Sequence, residues 1–311
     1  MNYLITGGAG FIGSNIAKRL VRDGESVRVI DNFSTGEKNN IDEIKDKIDI
    51  IEGDIRDTES VLKAVKDVDF IIHQAALPSV PRSIKDPITA NDVNVTGTLN
   101  LLNATKNSKI KRFVYASSSS VYGDTPILPK REDMPPNPQS PYAVTKLTGE
   151  YYCSVFYKVY GLPTVSLRYF NVFGPFQDPE SQYAAVIPKF INAVLHHNSP
   201  VVYGDGEQSR DFTFIDNVVD ANILSCRNDK SSGKVFNIAC GNRYTLNRLL
   251  TEVSYLTGNK ANPQFVEPRA GDIRHSQADI SSARELIGYR PKVDFREGLK
   301  RTVEWYKGQK S

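Results

Sequence analysis

Tyr142 and Lys146 stand four residues apart in Tyr142-Ala143-Val144-Thr145-Lys146. The stretch from Tyr142 to Tyr160 reads as a helix stopped by Gly161. At that spacing two side chains share one helix face. An ammonium beside a phenol stabilises the phenolate and lowers its pKa from about 10. Tyr142 then becomes a usable proton acceptor near neutral pH, and Lys146 can also hold a cofactor ribose. Alone, Tyr-x-x-x-Lys is more often a surface pair. Ser117-Ser118-Ser119-Ser120 ends a strand that begins at Arg112, at the carboxyl edge where a parallel sheet binds ligands. Hydroxyls are poor sheet formers. Four of them there read either as a serine-rich turn or as a hydroxyl that bridges a substrate alcohol and the phenol.

These groups need a scaffold, and the first thirteen residues describe one. Tyr3, Leu4 and Ile5 read as a short buried strand, glycines follow at Gly7, Gly10 and Gly13, and Ser14 to Asp23 reads as a helix stopped by Gly24. Ile12, Ile16 and Leu20, with Val21, give that helix one apolar face. A pyrophosphate lying on the N–H groups of a helix start tolerates no Cβ in its way. Gly7 makes the tight turn, Gly10 admits the phosphates, and Gly13 lets the helix approach the strand. Ser26 to Ile30 is a second strand, and Asp31 ends it 18 residues after Gly13. An acid there binds ribose hydroxyls and repels a 2′-phosphate. No arginine follows within the next few residues, so the expected cofactor is NAD rather than NADP.

Strands and helices continue to alternate. Ile48–Glu52 is a strand, followed by Gly53-Asp54-Ile55, where Asp54 is either an adenine contact or a turn residue. Thr58–Val65 is a helix, and Val68–His73 a strand running into Gln74-Ala75-Ala76, whose small residues leave room for a cofactor. Leu77–Pro87 reads as a loop, Asn94–Asn107 as a helix and Arg112–Ser117 as the fifth strand. This alternation specifies an α/β, doubly wound parallel sheet of the Rossmann type. Pro126–Pro141, with six prolines, is a surface loop. Beyond the Thr164–Tyr169 strand the alternation loosens. Asn171–Tyr183 reads as loop, Ala184–His197 as helix, and Pro200–Tyr203 and Asp211–Phe214 as strands. Asp216 caps a helix reaching Cys226, Val235–Ala239 is a strand, and Thr245 caps Leu246–Leu256. A loop (Glu267–Gln277) and helices around Ala283 and Trp305 complete the chain. The expected division is 1–167 for the dinucleotide domain and 168–311 mainly for a smaller α/β substrate-binding lobe, with segments near 211–239 returning to the sheet.

Composition narrows the partners. The 311 residues carry a net charge of +3, too small and too evenly spread for nucleic acid. Cys153, Cys226 and Cys240 cannot all pair and form no Cys-x-x-Cys motif, which suits a reducing compartment. The four histidines are His73, His196, His197 and His275, and none has a partner at metal-ligand spacing. No signal peptide or membrane span is legible. The expected protein is cytoplasmic, without metal and without membrane attachment.

In chain order stand Thr6-Gly7-Gly8-Ala9-Gly10-Phe11-Ile12-Gly13, Asp31-Asn32, Gly53-Asp54-Ile55, Ser118-Ser119-Ser120-Val121-Tyr122-Gly123, Tyr142-x-x-x-Lys146 and Arg168-Tyr169-Phe170-Asn171-Val172-Phe173-Gly174. Across essentially its whole length the chain resembles the extended short-chain dehydrogenase/reductases of the nucleotide-sugar epimerase group, nearest to the UDP-N-acetylglucosamine and UDP-glucose 4-epimerases. The resemblance implies that Tyr142 takes the proton of a sugar 4-hydroxyl, with Ser118 or Ser119 relaying, while C4 loses and regains a hydride on opposite faces. It implies an NAD site at Gly7, Gly10, Phe11, Ile12, Gly13, Asp31, Asn32, Phe33, Ser34, Thr35, Gly36, Asp54, Ile55, Gln74, Ala75, Ala76, Asn94, Tyr142, Lys146 and Phe170. It implies a UDP-sugar site at Ser79, Ser83, Ser118, Tyr142, Asn171, Val186, Lys189, Tyr203, Arg210, Arg269, Asp272 and Ser276. Arginine suits a diphosphate because its planar fork donates paired hydrogen bonds. Each arginine alone reads equally as a surface cation.

Two stretches bear on the sugar. Leu77-Pro78-Ser79-Val80-Pro81-Arg82-Ser83 resembles the loop of epimerases that prefer N-acetylated sugars, with Pro78 removing a backbone donor. In the group, Ser276 falls where a bulky aromatic blocks the 2-N-acetyl group in glucose-only enzymes. The expected substrates are UDP-GlcNAc/UDP-GalNAc, with UDP-Glc/UDP-Gal alongside. UDP-glucose alone or UDP-glucuronate are the alternatives. A 4,6-dehydratase is disfavoured because Ser118-Ser119-Ser120 stands where its relatives carry an acid pair, and a non-catalytic NAD sensor because the Ser/Tyr/Lys set is intact. The group commonly forms homodimers through helices near Asn94–Asn107 and Tyr142–Tyr160. Val93, Leu99, Leu102, Val155 and Phe156 read as such a seam or, equally, as core.

Overall fold

The computed structural model describes residues 1–178, 185–268 and 273–309. Seven strands form one parallel sheet: β1 (Asn2–Thr6), β2 (Ser26–Asp31), β3 (Asp49–Glu52), β4 (Phe70–His73), β5 (Arg112–Ser118), β6 (Thr164–Tyr169) and the strand Lys234–Ile238. From one edge they run Lys234–Ile238, β6, β5, β4, β1, β2, β3. The order turns at β1, which pairs with β2 on one side and β4 on the other. A crevice therefore opens between the carboxyl ends of β1 and β4.

Successive strand residues face opposite sides, and the sheet is covered on both. Tyr3, Ile5, Phe70, Ile72 and Val114 belong to one core with Ile16, Ala17 and Leu20 of helix α1 (Phe11–Arg22). Leu4, Ile71, Phe113 and Tyr115 belong to a second core with Val61, Leu101, Leu102, Cys153 and Phe156. This two-sided burial is why the strands read as unbroken apolar runs. The first core continues into the C-terminal lobe, through Ile187, Phe190, Phe212, Leu249, Phe295 and Tyr306. Among the described residues, three two-stranded ladders build that lobe: 172–173 with 213–214, 209–210 with 244–245, and 201–203 with 264–266. Helices Val186–Leu195, Leu246–Thr257, Ser281–Ile287 and Phe295–Gly308 pack around them.

Several local expectations need correction. Residues 80–85, expected in a loop, are helical: Ser79 accepts the Arg82 N–H and Pro81 sits in the first turn, a start signal that the surrounding prolines masked. The helix expected from Asn94 begins earlier, at Pro87–Asn91, widens over Asp92–Thr96 and continues as Gly97–Thr105. The strand expected over Asp211–Phe214 is two short ones, Ser209–Arg210 and Thr213–Phe214, because Asp211 turns inward. Asp216 is not a cap but lies in the first turn of Ile215–Arg227. Leu102 and Phe156, expected as one side of a dimer seam or as core, are buried in the second core.

Candidate active site

At the crevice, Gly7 adopts φ +67, and a Cβ on it would lie 2.7 Å from the Ala75 nitrogen. A Cβ on Gly13 would lie 2.2 Å from the Gly7 oxygen. The β1–α1 turn is thus packed against both its own helix and the end of β4, at distances only glycine permits. Gly10 occupies the N-cap of α1, offers no side-chain cap, and no acid follows in the first turn. The leading N–H groups, from half-buried Phe11 and Ile12 onward, keep the positive end of the helix for an anion. A pyrophosphate fits this cradle. Beneath it, Thr6 Oγ1 meets His73 Nδ1 at 2.6 Å and also accepts the Ala75 N–H. His73 Nε2 meets Thr98 Oγ1 at 2.8 Å, and that hydroxyl donates to the Asn94 carbonyl. The chain of donors makes Nε2 the protonated nitrogen. Burial, then the charge of Lys146, lowers His73 to about 3, so it stays neutral.

Asp31 is buried at the end of β2, and its two oxygens accept the N–H groups of Ala9 and Phe33 at 2.9 Å. Burial raises its pKa against those two bonds. Gly36 packs on Ala9 and the Asp31 carboxylate, and Phe33 takes φ 53 to turn the chain there. Ser34 donates its N–H to Asn32, and Ser34 and Thr35 are exposed. Asp54 accepts from Asn32 at 2.7 Å and from the Arg56 fork at 2.8 and 3.0 Å. The Arg56 guanidinium holds the Asp54 carboxyl down at about 2. The Arg56 guanidinium is therefore committed to Asp54 and Asp92. A 2′-phosphate would meet Asp31 and no spare guanidinium among these groups. Ile55 is buried. Gln74 donates to the Tyr169 hydroxyl, and Gln74, Ala75 and Ala76 line the open end of β4, partly exposed.

The helix Pro141–Tyr160 has a closed start. Pro141 has no N–H, Ser83 Oγ accepts the Tyr142 N–H at 3.0 Å, and Ser140 Oγ accepts that of Ala143. With its polar groups satisfied, the helix presents its side chains instead. Ser118 faces the Tyr142 hydroxyl and favours its ionised form, and its Oγ accepts the Ser120 N–H at 3.2 Å. Ser119 opens the short turn Ser119–Tyr122 beyond β5. Lys146 Nζ donates to the Ala116 carbonyl at 2.8 Å and lies 5.9 Å from the Tyr142 ring centre. The protein alone does not lower the phenol's pKa as the sequence suggested. Burial pushes Tyr142 up to about 12, opposed only by Ser118, and burial brings Lys146 down to about 8. Desolvation outweighs an ammonium at that distance.

Other positions expected at the ligands are engaged structurally. The Asn94 amide holds both backbone groups of Leu77 and the Thr145 hydroxyl, and Asn94 is buried. Ser79 caps the 80–85 helix, while buried Ser83 also donates to the Val80 carbonyl. Phe170 is fully buried, with its N–H on the Ile238 carbonyl.

In the lobe, a cavity of about 290 Å³ is lined by Asn171, Val186, Tyr203 and Arg210. The sequence reading missed eight further lining residues, among them Phe173, Phe212 and Leu246; all but Gln208 are apolar, and apolar residues of that kind read as core. Lys189 lies one turn beyond Val186 and is partly buried, outside the lining. Ser276 is buried, and its N–H donates to the Ser209 carbonyl beside Arg210. Arg269 and Asp272 lie outside the described residues. Asp211, between Arg210 and Phe212, accepts the N–H groups of Cys240, Gly241 and Ala278, so one carboxylate ties three segments behind the cavity wall. Burial raises Asp211 to about 7 against those three bonds.

Among the described residues no helix is long and apolar enough to cross a membrane. The profile of the NAD dependent epimerase/dehydratase family matches residues 3–239. A solved UDP-N-acetylglucosamine 4-epimerase from Methanobrevibacter ruminantium M1, in complex with UDP-N-acetylmuramic acid, is 44% identical with a TM-score of 0.95, over 99% of this chain and 98% of that one. A UDP-glucose 4-epimerase from Thermotoga maritima, solved with UDP-glucose, is 36% identical with a TM-score of 0.95 over the whole of both chains. A UDP-glucose 4-epimerase of Mycolicibacterium smegmatis is 38% identical over 313 residues, 99% of each chain. Glycine cradle, acid-ended second strand and whole-length similarity agree: this chain belongs to the NAD-dependent epimerase/dehydratase family, and its cofactor is NAD.

Proposed function

We propose that the protein is a UDP-sugar 4-epimerase acting on UDP-GlcNAc and UDP-GalNAc, with UDP-Glc and UDP-Gal as further substrates. The observation that carries the reading is the Tyr142 hydroxyl facing Ser118 at the end of β5, one helical turn from Lys146. NAD supplies a hydride acceptor and donor at C4 and, when oxidised, a positive charge that favours the phenolate. Tyr142 removes the proton of the sugar 4-hydroxyl, Ser118 holds that oxygen and the phenol together, and Lys146 holds the cofactor ribose. Asn171, Val186, Tyr203 and Arg210 hold the nucleotide diphosphate. The small, buried Ser276 supports room for an N-acetyl group, as does the likeness to the Methanobrevibacter enzyme. The serines after β5 disfavour elimination of water, which needs an acid and a base there.

The test is incubation of the purified protein with UDP-GlcNAc or UDP-Glc, without added cofactor, followed by NMR of the anomeric protons. UDP-GalNAc in the first tube is the expected product. UDP-Gal alone overturns the N-acetyl preference and keeps the chemistry, and a 4-keto-6-deoxy sugar overturns the epimerase reading.

The working form is a homodimer. Val144, Tyr151, Val155 and Val159 lie on one stripe of the Pro141–Tyr160 helix and are about half or more exposed, an apolar face that a second copy covers. Val155→Glu should yield a monomer in sedimentation. The three cysteines, none in a disulfide, suit the cytoplasm.

A further inference from the structure

The sheet pairs Ser117 of β5 directly with Arg168 of β6, and both reach the same carboxylate. Glu150 Oε1 accepts from Arg168 Nε at 2.9 Å and its Oε2 from Arg168 Nη2 at 2.7 Å. Ser117 Oγ donates to Glu150 Oε1. Glu150 and Arg168 are buried, 3% and 4% exposed. Glu150 follows Lys146 by four residues and Tyr142 by eight, so all three lie on one face of one helix. Their strand neighbours are consecutive: Lys146 holds Ala116, Glu150 holds Ser117, and Tyr142 faces Ser118.

We propose that Glu150 is a positioning residue, locking the Tyr142 helix against β5 in the one register that brings the Tyr142 hydroxyl to Ser118. The inference rests on the reading of Tyr142 as the base. Stability alone is a weak reason for such a lock, because a buried ion pair often gives way to packed apolar side chains without loss. An apolar contact tolerates a small slide, whereas a bidentate fork fixes both distance and rotation. A slide of about 1 Å can cost a hundredfold in rate.

The test separates stability from register. Glu150→Gln leaves the buried Arg168 charge without its counter-ion and should unfold at lower temperature. The triple variant Ser117→Ala/Glu150→Leu/Arg168→Met should recover the melting temperature, retain NAD and keep KM. Its kcat should still fall about ten- to a hundredfold, with the rising limb of the pH–rate profile moved upward as the phenol moves away from Ser118. Wild-type kcat and pH profile in the triple variant overturn the inference. If the triple variant does not fold, Glu150→Asp decides. It keeps the charge and shortens the reach, and it should lower kcat about tenfold; wild-type kcat in it overturns the inference. Tyr142→Phe is measured in parallel. Full turnover in Tyr142→Phe means that the base was misassigned, whereas an inactive Tyr142→Phe beside a fully active triple variant defeats only the positioning role.

Discussion

Two helices begin at the carboxyl edge of the sheet, and they begin differently. α1 starts at Gly10 with no side-chain cap and no acid. Pro141–Tyr160 starts with a proline, a serine cap and a second serine reaching across from another helix. The first start keeps its N–H groups and its positive end available, and Gly7 and Gly13 keep the space before them clear. The second has no such group left over, and it works through hydroxyl and ammonium side chains on its face. An open helix start binds an anion through backbone, while a closed one serves as a rigid mount for acid–base chemistry.

The comparison can be broken in four ways. Tyr142→Phe removes the chemistry from the closed helix and leaves the open one alone. Turnover should fall by about 10²- to 10⁴-fold, measured by NMR of the sugar product, with NAD still copurifying. Gly13→Ala does the reverse. Its Cβ would clash with the Gly7 oxygen at 2.2 Å, so NAD should be lost on purification and stability should drop by about 1–3 kcal/mol.

The third test lies under the open turn. His73 is buried neutral, with a pKa lowered to about 3 from an ordinary value of 6.5. Below pH 6.5 the unfolded chain binds a proton that the folded chain refuses. The contribution is therefore complete above pH 6.5 and is lost as the pH falls toward 3. Urea unfolding at pH 5 should show about 2 kcal/mol less stability than at pH 7 from this group, and His73→Gln should lack that slope. The smallest effect belongs to the closed end. Ser140→Ala removes one cap and should cost about 1 kcal/mol in thermal unfolding, without change in NAD retention. If it released NAD instead, the two helix starts would not be independent.

The same contrast governs what could be read beforehand. The open start is written in adjacent residues, Gly7 to Gly13, since backbone geometry is a local demand. The alternation of strands and helices, the acid-ended β2 and the Tyr142/Lys146 spacing were likewise legible, being carried by short-range patterns. The closed start was not. Ser83 looked like a substrate contact and is seen to hold the Tyr142 backbone. The phenol looked activated by Lys146 and is instead raised by burial. Asp211 looked like one residue of a strand and ties 240, 241 and 278 together.

By itself the sequence determined the alternating parallel fold, the dinucleotide cradle and the residue types available for proton transfer. Each follows from steric or periodic rules acting within about ten residues of chain. Only the tertiary structure decided which serine meets Tyr142, what Glu150 and Arg168 do for that helix, and which apolar residues wall the lobe cavity. Those outcomes depend on desolvation and on hydrogen bonds between strands and helices far apart in the chain, and no local pattern encodes such distances.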